Sequence, residues 1–138
     1  MTAYVDSSAL LKRYLAESDS STAVALLNAQ GDLFTSKVTL VEVRRGLATI
    51  QSEQERQRMR DLFATDISSM FLIDVTHDII NRAAELTEQT GLRSLDALHV
   101  ASAEQSLGYN SLIITFDIRQ GSAARLLGFD VRPTPPTH

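Results

Sequence analysis

Cysteine and tryptophan are absent from this chain, lysine occurs only at positions 12 and 37, and all three prolines fall among the last six residues. Without cysteine there is no disulfide, no thiolate metal site, no iron–sulfur cluster and no cysteine nucleophile. The three scattered histidines, His77, His99 and His138, leave little for zinc, so any metal must be a hard cation held by oxygen. The longest unbroken apolar run, Ala23–Leu27, is far short of the roughly 20 residues that span a bilayer, and Asp6 interrupts any secretory leader. The expectation is a cytoplasmic chain with no membrane partner. Tyrosine and phenylalanine together number eight, too few for an aromatic platform that stacks single-stranded bases. A net charge of −4 excludes a general basic coat for nucleic acid, though not a local patch.

What is present suits a soluble globular fold: 138 residues, 43% hydrophobic and 22% charged. The length predicts a single domain over residues 1–132, followed by a Pro-rich mobile tail over 133–138. Apolar periodicity divides the chain into alternating strands and helices. Ala3-Tyr4-Val5 is a short apolar run ending at Asp6, and a helical pattern follows from Ala9. A helix over about Ser21–Ala29 stops at Gly31; Leu33–Thr35 reads as a strand, and Ser36 as the cap of a helix with Leu40, Val43, Leu47 and Ile50 on one face. Charged Glu53–Ile67 predicts an exposed helix, Phe71–Ile73 a strand, and Ile79–Thr90 an amphipathic helix closed by Gly91. Ser94 is expected to cap a largely buried helix, Leu95–Leu107, that stops at Gly108. Leu112-Ile113-Ile114 has the composition of a strand covered on both faces, and Phe129–Val131 adds an edge strand. Strands separated by helices imply an open parallel sheet.

In such sheets ligands bind beyond the carboxyl ends of the strands. Asp6 ends the first strand, and Asp117 follows Leu112–Ile114 as part of Thr115-Phe116-Asp117. Glu42 and Asp96 sit inside apolar helical starts, where an acid is out of place unless it faces a cleft. Each has an ordinary explanation: Asp96 a helix-dipole partner, Glu42 a pair with Arg45, Asp6 and Asp117 loop-start acids. Four coincidences are a weaker account than one site. Two unit charges ~4 Å apart repel by about 4 kcal/mol at an effective dielectric near 20, against a total stability of about 5–15 kcal/mol. A convergent cluster must protonate or bind a cation, and oxygen ligands with room for water suit Mg²⁺ or Mn²⁺. Metal-assisted phosphodiester hydrolysis follows from that chemistry.

Four stretches, Val5-Asp6-Ser7-Ser8-Ala9-Leu10-Leu11-Lys12, Thr39-Leu40-Val41-Glu42-Val43-Arg44-Arg45-Gly46-Leu47, Leu95-Asp96-Ala97-Leu98-His99-Val100-Ala101-Ser102-Ala103 and Ile114-Thr115-Phe116-Asp117, resemble in order the acidic signatures of PIN-domain ribonucleases. The match runs from Met1 to about Arg132, and the chain's length resembles the VapC toxins of toxin–antitoxin pairs. The resemblance implies an α/β fold, a three-layer α/β/α sandwich around a parallel sheet of four to five strands. It implies a Mg²⁺- or Mn²⁺-dependent endoribonuclease, a homodimer, an RNA substrate, and a cognate VapB-like antitoxin that fills the acidic groove. Carried over by position, Asp6, Glu42, Asp96 and Asp117 become the catalytic and metal-binding acids, and Ser7 or Ser8 and Thr115 the supporting hydroxyls.

Other readings compete. A phosphorylatable receiver domain also places acids after parallel strands, but it needs a strand-end lysine, and none follows Lys37. A phosphatase with Asp6 as nucleophile wants a second acid two residues on, where Ser8 stands. A non-catalytic RNA- or protein-binding module on the same fold differs only in lacking metal chemistry. His99 is expected to be a packed helix histidine that could contact a phosphate or support the acids, not a general acid. Arg44 and Arg45 could hold the RNA backbone or simply be solvated, and Gly46 could serve helix packing or substrate access.

Overall fold

The computed structural model describes residues 2–134, so that residues 135–138 of the expected tail lie outside the described residues. Period-two alternation in the strands decides the layering. Five strands, β1 (Thr2–Val5), β2 (Asp32–Ser36), β3 (Phe71–Ile73), β4 (Leu112–Ile114) and β5 (Asp130–Arg132), form one sheet in the order β3-β2-β1-β4-β5. Every pairing is parallel. Tyr4, Ile113 and Val131 point to one face, where they pack on α5 (His77–Thr90), α6 (Ser94–Leu107) and α7 (Ile118–Leu126). Ala3, Val5, Leu112 and Ile114 point to the other, against α1 (Ser7–Leu11), α2 (Ser20–Asn28), α3 (Val38–Leu47) and α4 (Glu53–Ile67). This is the expected three-layer sandwich. The central strands carry the burial: Tyr4, Val5, Ile113 and Ile114 are fully enclosed, and each such side chain contributes on the order of 1.5–3 kcal/mol. No helix among the described residues is long and apolar enough to cross a membrane.

Several local expectations shift. Ser36 pairs with Ile73 as the last residue of β2 and Lys37 takes the cap position with no side-chain bond, yet the Ser36 hydroxyl still accepts the first N–H of α3, that of Val38, at 3.2 Å. Ser94 is likewise the first residue of α6 and not its cap, the extended Arg93 preceding it. The second helix ends at an Ala29 cap, before Gly31. Helix α7 has no counterpart among the expected elements, because its interior Gly121 and lack of an apolar stripe hide the period. Its start signal is Asp117, whose carboxylate accepts from the Gln120 N–H at 2.9 Å. Exposed α4 agrees with its charged sequence, burying only Phe63.

Gly46 settles on the packing side. A Cβ at this position would lie 2.5 and 2.9 Å from the Leu11 methyls, so its bare backbone lets α3 close onto α1. Gly46→Val is expected to lower stability by about 1–3 kcal/mol in urea melts, through overpacking. Gly46→Ala should cost less, because the Leu11 methyls can rotate aside from a lone Cβ; equal losses would show that Leu11 does not yield.

Candidate active site

The strand order reverses at β1: β2 and β3 extend to one side of it, β4 and β5 to the other. A crevice opens at the carboxyl end of such a switch point. Val5 pairs with Ile114, and the Asp6 N–H donates to the Ile114 carbonyl at 3.2 Å, so the chain leaves both strands side by side. There lies a cleft of about 400 Å³ bordered by Asp6, Ser8, Glu42, Arg93, Asp96 and Asp117. All four acids singled out in the sequence meet at its wall. A larger cleft of about 530 Å³ sits by Thr2, Asp32 and Asp130, away from all of them.

Asp6 is 1% exposed. Its carboxylate caps α1 through the Ala9 N–H at 2.9 Å, and it accepts from the Ser8 hydroxyl at 2.8 Å and the Thr115 hydroxyl at 2.6 Å. Each hydroxyl in turn accepts a backbone N–H from the loop after β4, Phe116 to Ser8 at 3.0 Å and Asp117 to Thr115 at 3.1 Å. Of the two candidate serines, Ser8 bonds Asp6; Ser7 borders the cleft without doing so. Burial pushes the Asp6 carboxyl above its ordinary value, and the nearby His99, the Thr115 hydroxyl and the other donors oppose that shift.

Asp117 is divided between two tasks. One oxygen caps α7; the other lies 3.3 Å from the Arg93 guanidinium. Arg93 also reaches Asp96 at 3.3 Å and so bridges the two acids. Loss of solvent, and then the negative charge of Asp117, raise the Asp96 carboxyl above its ordinary value; Arg93 pulls the other way. Glu42 does not pair with Arg45. It accepts from His99 Nε2 at 2.7 Å, while His99 Nδ1 lies 2.6 Å from the Tyr4 hydroxyl. Arg45 borders the cleft and Arg44 does not.

Arg93 and Tyr4 are not among the site residues that the sequence suggests, although signals existed. Arg93 stands one helical turn before Asp96, and a tyrosine in an apolar strand needs a buried partner for its hydroxyl. Among the described residues no three acids or histidines stand close enough together to enclose an ion as they are. The donor set still fits a hard divalent cation: it is all oxygen, it comes from four chain segments, and a cationic guanidinium already bridges two of its members.

A family model described as PIN domain matches residues 3–126. The chain is 32% identical over 130 residues to ribonuclease VapC47 of Mycobacterium tuberculosis, covering 91% of this chain and 92% of that one. Among solved structures, VapC20 of M. tuberculosis, described as a sarcin–ricin loop cleaving toxin, superposes with a TM-score of 0.72 at 17% identity, covering 88% of this chain and 94% of that one. A toxin–antitoxin complex from Klebsiella pneumoniae superposes at 0.66 with 23% identity, covering 83% and 86%.

The raised Asp6 and Asp96 carboxyls determine how stability varies with pH. Both hold their protons to higher pH in the folded chain than in the unfolded one. Their favourable contribution is therefore full below the ordinary carboxylate range and is lost as pH rises through the raised folded values. In metal-free buffer the urea midpoint of the wild type should carry a component that falls as pH rises above the ordinary carboxylate range. Asp96→Asn should flatten that fall; a variant whose midpoint tracks the wild type across the range would remove Asp96 as a source.

Proposed function

Since this chain belongs to the PIN domain family, we propose that it is an endoribonuclease that hydrolyses RNA phosphodiester bonds with Mg²⁺ or Mn²⁺ at the acidic cleft. The observation that carries the reading is the convergence of Asp6, Glu42, Asp96 and Asp117 at the switch point of the sheet. Those four acids are the residues that would hold the ion. When bound, it would supply Lewis-acid polarisation of a phosphoryl oxygen and a water acidic enough to attack at neutral pH. Ser8 and Thr115 hold Asp6 in one orientation, so its carboxylate is preorganised. For Asp96 and Asp117 to take a cation, Arg93 must release them. Its side chain is 70% exposed, and an exposed bridge of this kind is worth only about 0–1 kcal/mol. The freed guanidinium and Arg45 then stand at the cleft wall as partners for the substrate's phosphates.

The activity would reside in one domain over residues 1–132 and act in the cytoplasm as the toxin of a toxin–antitoxin pair. Likeness to VapC47 and to the Klebsiella complex supports that role. A homodimer held in check by a VapB-like antitoxin, its chain seated in the acidic groove, is the assembly that goes with it.

Asp96→Asn tests the chemistry. Asparagine keeps the size of the side chain but removes the charge that anchors a hard ion, so single-turnover cleavage of a cellular RNA pool should fall by on the order of 100-fold or more. The fold should persist, since one charge leaves a crowded wall and only a modest dipole term is lost. A helix-dipole role alone predicts near-normal cleavage and a slightly weaker helix. Chelation should silence the wild type, and refilling with Mg²⁺ or Mn²⁺ should restore it; cutting that survives chelation would sink the metal mechanism.

A further inference from the structure

Glu42 and His99 come from helices on opposite faces of the sheet, α3 and α6, yet they meet at 2.7 Å over its end. His99 is 1% exposed, does not border the cleft, and uses both ring nitrogens on side chains. The Ser36 N–H donates to the Tyr4 oxygen at 3.2 Å. A carboxylate only accepts, so Nε2 must carry the hydrogen that goes to Glu42. On the other side of the ring Nδ1 meets the Tyr4 hydroxyl at 2.6 Å, so the imidazole is held from behind. Ser36 N–H, the Tyr4 hydroxyl, the His99 ring and Glu42 Oε1 thus form one connected chain, with the Nε2–H directed at Glu42. Burial holds the phenol's proton on, because it pushes Tyr4 well above its ordinary value.

We infer that His99, oriented by Tyr4, is a positioning residue for Glu42: it pins Oε1 and leaves Oε2, which has no hydrogen-bond partner among the described residues, as the oxygen presented for a cation. A free glutamate must lose side-chain freedom when it binds an ion, and here that loss is taken during folding. Partners of this kind, standing behind metal-binding side chains, fix ligand orientation and typically change metal affinity 10–100-fold when removed. The inference rests on the proposed acidic metal site, so its test must separate the two.

Mn²⁺ binding to the full chain, without RNA, is read from the electron paramagnetic resonance of free Mn²⁺, beside a thermal melt of each variant. His99→Leu keeps the bulk but no donor, and should weaken Mn²⁺ binding about 10–100-fold. His99→Gln returns an amide N–H near the position of Nε2, and should bind within about threefold of wild type whatever its melting temperature. Tyr4→Phe removes one oxygen and should fall between them. A purely structural histidine predicts that both His99 variants lose melting temperature while Mn²⁺ affinity stays put. Folded His99→Leu that binds like wild type, or His99→Gln as weak as His99→Leu, overturns the inference. If His99→Leu does not fold, unchanged affinity in Tyr4→Phe overturns it instead. A wild type that takes up no Mn²⁺ refutes the metal site and this inference together, a result distinct from a binding wild type with unaffected variants.

Discussion

Asp6 is a carboxylate enclosed at the end of the central strand, and much of the cleft is arranged around keeping it there. Taking such a charge out of water costs several kcal/mol even after relaxation. The hydrogen bonds it receives from Ala9, Ser8 and Thr115 return about 1.5–3 kcal/mol each. Gain and cost are of similar size, and the carboxyl sits above its ordinary value, so burial retains the upper hand. The same donors tie the loop after β4 to the start of α1. That tie holds Asp117 beside Asp6, which parallel pairing of β1 and β4 alone would not do.

Around this fixed point the remaining acids are held differently. Asp96 and Asp117 share an arginine in an exposed bridge, which is cheap to open. Glu42 is held from behind by a buried side-chain chain that reaches through the sheet's end to β1. The cleft therefore combines rigid and yielding parts, the rigid ones reaching into the core and the yielding one facing solvent.

The strands and the acids were legible in the sequence because both are local signals. Leu112–Ile114 is apolar with two β-branched residues, and Asp6 and Asp117 follow strand runs. Placing all four acids on one wall took a further step, from strand-end and helix-start placement and motif resemblance, since nothing local brings Glu42 toward β1. What could not be read depends on distant partners. His99 is 57 residues from Glu42 and 95 from Tyr4, and Arg93 reaches Asp117 across 24. Helix α7 was hidden for the opposite reason: its local pattern is too weak, and only its cap and its packing against α6 and β5 declare it. Ser94 shows the limit of cap signals, because the helix began one residue earlier than expected; Ser36, though held in the strand by ladder pairing, still accepts the first N–H of α3.

Asp6 and Asp117 each carry a helix N-terminus on the same carboxylate that faces the cleft, whereas Asp96 and Glu42 cap nothing. In a lineage released from selection on its chemistry, folding alone would continue to retain the first pair, since losing a cap typically costs about 0.5–2 kcal/mol. Asp96 would be free to drift, whereas Glu42 is also retained by the buried His99 N–H that it accepts. Divergence among descendants of such a chain is thus informative in an uneven way: persistence of the capping acids says little about whether a protein still works, while replacement of Asp96, which caps nothing, is the mark of one that has stopped.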